Sequence, residues 1–250
     1  MNLVAKPGYQ PQAEDISIET DLFEFALLRQ RTNSDRFLMA IAHTQAARRV
    51  SMSGLKFRFL TLDAKAFAQK VAQTFLGNDY NASFIPLGNE MTWIQDSLSL
   101  AVTLHSIFEH IGIPYYITSG VAASTFGDPR TARDLDVVIA ISTAQLDQLV
   151  QALETGQFYV PGVDEVRSGR LQTLGITHQV TIARADLMLA GTELFETQKL
   201  ARRRAINVIG MGCFYFASPE DIILTKLRWR LQPQSEKQWR DVLGIFESTG

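Results

Sequence analysis

Ser119 and Gly120 head a stretch that runs through an arginine-bearing loop to Asp134-Leu135-Asp136 and the apolar run Val137-Val138-Ile139. That run predicts a strand. Residues two apart on a strand share a face, so the two carboxylates point one way and Leu135 and Val137 the other. Like charges at that spacing repel unless a cation lies between them, and a hard divalent ion with oxygen ligands suits the place. The glycine turn upstream opens a short helix, whose first backbone N–H groups can hold a phosphate. A metal beside a phosphate cradle is the equipment of phosphoryl or nucleotidyl transfer. The plainer alternatives are solvated strand-end acids and an ordinary helix-entry turn.

The elements that must position these residues are legible around them. Tyr115 to Thr118 reads as a short strand entering the glycine turn, and Leu135 to Ile141 as a second, central strand covered on both faces. Ser142 to Leu153 is a helix capped by Ser142 or Thr143. Val180 to Leu189 and Ile206 to Phe216 read as further strands. Ser218-Pro219-Glu220-Asp221 starts a helix with a capping serine, a proline at the first helical position and acids in the first turn. After a break at Gln232-Pro233-Gln234-Ser235, a last helix carries Trp239, Val242, Leu243 and Phe246. Upstream, helices are expected from Asp21, from Arg36 to Val50 with Ser34 or Asp35 as cap, from Leu62 to Phe75, and from Asn89 to His110. Ser51 to Gly54 reads as a turn. The resulting division is an irregular N-terminus over 1–18, a helical extension over 19–107 and a catalytic module over 108–250. The fold class is α/β (α+β): a small mixed β-sheet flanked by helices.

Composition narrows the function. The 250 residues are 46% hydrophobic, enough for a full core, and carry a net charge of −2, which offers no footprint for bulk nucleic-acid binding. The single cysteine, Cys213, excludes an internal disulfide and a multi-cysteine zinc site; lying in an apolar run, it is expected to be buried. Met1 to Glu14 lacks the charged and apolar regions of a signal peptide, and no run of about 18 apolar residues suggests a membrane span, so a cytoplasmic location is expected. His43, His105, His110 and His178 are too scattered for a metal motif. Trp229 and Trp239 fall at helical core positions. Lys199 with Arg202-Arg203-Arg204 is the densest basic cluster, read as a solvated face ahead of an RNA contact.

The spaced run Ser-Gly-x-Ala-x-x-x-x-Gly-x-Pro-Arg-x-x-x-Asp-Leu-Asp, residues 119 to 136, resembles the signature of the DNA polymerase β-like nucleotidyltransferase superfamily, and most of all the bacterial AbiEii-type toxins and minimal nucleotidyltransferases. The run from Ser218 to Leu227, with Lys237 and Arg240-Asp241-Val242, is similar to the helical motif that follows the sheet in those proteins. The resemblance covers about residues 108 to 248. It implies magnesium-dependent transfer (manganese substituting) of a nucleoside monophosphate from a nucleoside triphosphate to a hydroxyl of RNA, protein or a small molecule. It also implies a cognate antitoxin as a partner; no membrane partner is expected from the apolar pattern, and the exposed faces of the early helices leave room for a homodimer. Asp134 and Asp136 would hold the metal, with Asp186 as third ligand, because an acid inside an apolar strand demands a partner or an ion. Pairing with Arg184 is the alternative for Asp186, and Asp164 and Glu165 are weaker metal candidates. Ser119 and Gly120 would hold phosphate, joined by Arg130 and Lys226. Arg130 could instead brace its loop through Asp128 or a carbonyl, and Lys226 could pair with Asp241. Two positions depart from the family pattern: Ser119 stands where many relatives have glycine, and Ala132 where many have serine or threonine.

Overall fold

The computed structural model describes Ala5, Tyr9, Pro11, residues 14–229 and residues 236–249. The expected break at Gln232-Pro233-Gln234-Ser235 and most of the expected irregular N-terminus lie outside these residues. Helix α1 (Ile18–Arg29) is followed by α2 (Asn33–Arg58), which is longer than its sequence suggests. Thr32, rather than Ser34 or Asp35, is its cap: the Asp35 N–H donates to Thr32 Oγ1 at 3.1 Å, and the Thr32 N–H donates to Asp35 Oδ2 at 3.1 Å. Ser51 to Gly54 lies inside α2 rather than in a turn. Met52 and Leu55 bury there against α3 (Ala64–Leu76), and that packing outweighs the poor helix propensity of serine and glycine.

The expected helix from Asn89 to His110 is interrupted, giving α4 (Glu90–Trp93) and α5 (Leu100–His110). Between them Asp96 is fully buried and accepts from the Ser99 N–H at 2.9 Å and from Gln45 Nε2 at 3.1 Å. A buried carboxylate that recruits backbone donors competes with the helix ladder and breaks it.

The rest alternates around one sheet. In chain order come β1 (Tyr115–Ile117), α6 (Ser119–Phe126), β2 (Asp134–Ile139), α7 (Thr143–Thr155), β3 (Phe158–Tyr159), α8 (Val163–Arg167), β4 (Thr173–His178) and β5 (Ala183–Leu189). Then follow α9 (Leu194–Arg202), β6 (Arg204–Val208), β7 (Gly212–Phe216), α10 (Pro219–Trp229) and α11 (Glu236–Thr249). The seven strands are ordered β3-β4-β5-β2-β1-β7-β6 in a mixed sheet, with β2 in the middle as its continuous apolar run requires. β2 pairs antiparallel with β1 and parallel with β5. The segment from Ile206 to Phe216 is not one strand but the antiparallel hairpin β6–β7. Alternation along β7 buries Phe214 and Phe216 and leaves Cys213 exposed, contrary to the expectation of burial.

The N-terminal helices share the core of the sheet: Phe37 of α2 meets Phe216 edge to face at 5.6 Å. They also brace backbone near β2 and β5. Arg36 donates to the carbonyls of Phe126 and Gly127 at 2.8 and 3.1 Å, satisfying the end of α6. The Ala132 N–H donates to Thr44 Oγ1 at 3.2 Å, in the loop just before Asp134. Arg48 donates to the carbonyls of Trp93, Thr181 and Ile182, joining α2 and the 93–96 segment to the entry of β5. Among the described residues, no helix is long and apolar enough to cross a membrane.

Candidate active site

The parallel register of β2 and β5 sets Asp136 directly beside Asp186, and Asp134 beside Arg184. Asp134, Asp136 and Asp186 therefore meet on one face of the sheet, at the end where β2 and β5 begin. That edge opens into a cavity of about 790 Å³, whose lining includes Ser119, Gly120, Arg130, Asp134, Asp136 and Lys226. Such a volume is of the size that takes a nucleotide-sized ligand.

Burial pushes the Asp136 carboxyl up to about 6, and the neighbouring charges of Asp186 and Asp134 push the same way; a hydrogen bond with Ser119 and the charge of Lys226 pull against them. Burial also raises Asp186, helped by Asp134 and Asp79 and opposed by Arg184. Crowded carboxylates with raised proton affinity mark this place as a candidate functional site. As the side chains stand, two of the three are already occupied. Arg133 Nε donates to Asp134 Oδ2 at 3.2 Å, and Arg184 Nη2 donates to Asp186 Oδ1 at 2.6 Å. Among the described residues no group of three or more acidic, histidine or cysteine side chains stands so as to hold a metal ion. The donor set is of the chemical kind a divalent ion takes, and Asp136 is the carboxylate not committed to an arginine.

On the other wall, Ser119 begins α6 with φ of 54°, the left-handed region that glycine adopts at least cost, which is the physical reason a glycine suits this position. Gly120 makes room for a guanidinium: a Cβ there would come within 2.9 Å of Arg130 Nη2. Arg130 is not free to swing. Its Nε and Nη2 donate to the two oxygens of Asp241 at 2.9 and 2.8 Å, a bidentate pair, rather than to Asp128. Lys226 Nζ donates to the same Asp241 at 2.7 Å and to Gln238 Oε1 at 2.8 Å. Burial works against ionisation of Asp241, but the Arg130 hydrogen bond and the Lys226 charge outweigh it and hold the carboxyl below its usual range. Two cations thus share one anion and leave a net positive charge beside the α6 turn. The Lys226–Asp241 pair is the one the sequence offered; the hold of Asp241 on Arg130 is what it hid.

Of the other candidates, Lys199 also lines the cavity. Asp164 and Glu165 stand on the short helix α8, where Asp164 is spent on Arg167. The basic cluster is used internally: Arg202 pairs with Asp221, Arg203 donates to the Leu200 carbonyl, and Lys199 pairs with Glu196. His178 is satisfied by Thr181 Oγ1 at 2.9 Å, as a histidine with no site role should be. Trp239 is exposed rather than in the core, while the side chains of Trp229 and Lys237 lie outside the described set.

No family model and no curated protein matches the chain. Among solved structures it is similar to an antigenic nucleotidyltransferase-like protein from Paracoccidioides brasiliensis, at 19% identity and a TM-score of 0.43, covering 60% of this chain and 73% of that one. It is similar also to the lincosamide antibiotic adenylyltransferase LnuA with lincomycin bound, at 12% and 0.42, covering 58% and 94%. A third is the antibiotic-resistance factor ANT(2'')-Ia, at 14% and 0.43, covering 62% and 84%. Likeness of this degree is too slight to carry a functional conclusion.

Proposed function

We propose that this chain is a magnesium-dependent nucleotidyltransferase, moving a nucleoside monophosphate from a nucleoside triphosphate to an acceptor hydroxyl. The observation that carries the reading is the side-by-side register of Asp136 and Asp186, with Asp134 on the same face; Asp134 and Asp136 line a cavity that the Ser119–Gly120 turn also walls. In this reading residues 108–250 carry the chemistry and residues 19–107 brace it.

The roles follow from charge and reach. The turn at Ser119–Gly120 and the first amides of α6 hold the triphosphate, and the net positive charge of Arg130 and Lys226 around Asp241 draws it in. Asp134, Asp136 and Asp186 bind the divalent ion, which when bound supplies neutralisation of the leaving pyrophosphate and acidity to the attacking hydroxyl. The acceptor oxygen forms a bond to the α-phosphorus, and the bond from that phosphorus to the pyrophosphate oxygen breaks. Asp186, whose proton affinity is raised by burial, takes the acceptor's proton.

The test is incubation of the full chain with each labelled nucleoside triphosphate, magnesium and a cell extract. Transfer of label by the wild type and its loss in Asp136→Asn are expected; label transferred equally by that variant overturns the assignment. A second reading, nucleotide or protein binding without turnover, draws support from the arginines already seated on Asp134 and Asp186. Calorimetry showing nucleotide binding with no labelled product across several acceptors would favour it.

A further inference from the structure

The arginines that neutralise Asp134 and Asp186 are held from their other side by one carboxylate of the N-terminal helices. Asp79, in the turn that ends α3, accepts from Arg133 Nη2 at 2.6 Å through Oδ2, and its Oδ1 stands 3.6 Å from Arg184 Nη2. Each guanidinium therefore bridges one carboxylate of the site and Asp79. The seat of Arg184 is built into the sheet. Gly175 of β4 lies opposite Asp186, and a Cβ there would come within 2.8 Å of Arg184 Nη2. Three carboxylates, Asp79, Asp134 and Asp186, thus share two guanidiniums.

We propose that Asp79 is a positioning residue that draws Arg133 and Arg184 off Asp134 and Asp186 when a divalent cation binds those carboxylates, so that the N-terminal extension completes the site. The inference rests on the metal reading given above. A cation and a guanidinium compete for the same oxygens, and an arginine displaced without a counter-charge would be left both unpaired and repelled by the ion. With Asp79 already in contact, the exchange needs only that each planar fork, with its several donors, shift its weight from one carboxylate to the other. Of the four arginine–carboxylate pairs, the two with Asp79 are kept and the two with Asp134 and Asp186 give way to the cation.

Manganese binding to the full chain, read by electron paramagnetic resonance at pH 8, tests this without any assay of transfer. Asp79→Asn is expected to weaken binding about five- to tenfold, the worth of partly exposed ion pairs, and Asp79→Glu to restore most of it. Arg133→Gln combined with Arg184→Gln is expected to tighten binding. In that background Asp79→Asn should change affinity by less than about twofold, because the groups through which it acts are gone. An effect of equal size in both backgrounds overturns the proposal, since Asp79 would then act by its charge alone. Wild-type affinity in Asp79→Asn, with binding abolished in Asp136→Asn, sinks the exchange and leaves the metal reading standing. Absence of manganese binding in the wild type removes both.

Discussion

At the scale of single residues, the site holds charge at the expense of stability. The Asp136 carboxyl titrates near 6 in the folded protein, above the ordinary carboxylate range. The fold therefore favours its protonated form: that contribution is complete below about pH 4 and is lost as pH rises through about 6. Asp136→Asn should accordingly raise the stability of the metal-free protein at pH 8 by about 1–2 kcal/mol, and by much less at pH 4. Thermal melts of both proteins at the two pH values decide it. Tyr116 offers a second prediction. It is 1% exposed, and among the described residues its hydroxyl has no hydrogen-bond partner. Tyr116→Phe should stabilise by up to about 1 kcal/mol, since a buried unpaired hydroxyl costs about that or more; a urea titration that shows a loss would point to a partner for it. The two aspartates on β2 were readable from the sequence because period two is a local rule. The pairing of Lys226 with Asp241 was readable too, but the hold of Asp241 on Arg130 and the part of Asp79 were not, because those contacts are made across more than fifty residues of chain.

Elements were legible where their own residues decide them, and misread where burial does. The Ser218 start was clear from local chemistry, and the structure agrees: the Asp221 N–H donates to Ser218 Oγ at 3.2 Å. The span of α2 through Ser51–Gly54, the break at Asp96 and the β6–β7 hairpin were not, since each depends on what packs against it. β4 also went unseen, because Gly175 in its centre reads as a breaker; the arginine it accommodates is nine residues away. The braces of α2 give the test at this scale. Arg48 is buried, its guanidinium lies 4.8 Å from the Phe75 ring, and it serves backbone carbonyls in two separate segments. Arg48→Ala should cost about 3 kcal/mol through the unpaired carbonyls it leaves. Hydrogen exchange should rise at residues 93–96 and 180–182 before it rises in β2; uniform loss of protection would contradict a local brace.

For the whole molecule, ligand binding and stability are linked. Magnesium or manganese at a hundred times its dissociation constant should stabilise the native state by about 2.7 kcal/mol, which for a chain of this size is a rise of about 5–10 °C in melting temperature. The rise should be large at pH 8, small near pH 5 where protons compete for the same carboxylates, and missing in Asp136→Asn. An equal shift in the variant would place the ion elsewhere.

The pairing of β2 with β5 has a consequence for how this chain can change. Substitution can retune any one of the aspartates by degrees, but loss or gain of a single residue early in β5 would exchange Asp186 for an apolar neighbour and drive the acid into the core. Between those two registers there is no halfway arrangement. Lineages carrying this strand pair should therefore confine their length variation to the loops between elements, and hold β2, β4 and β5 to a fixed count.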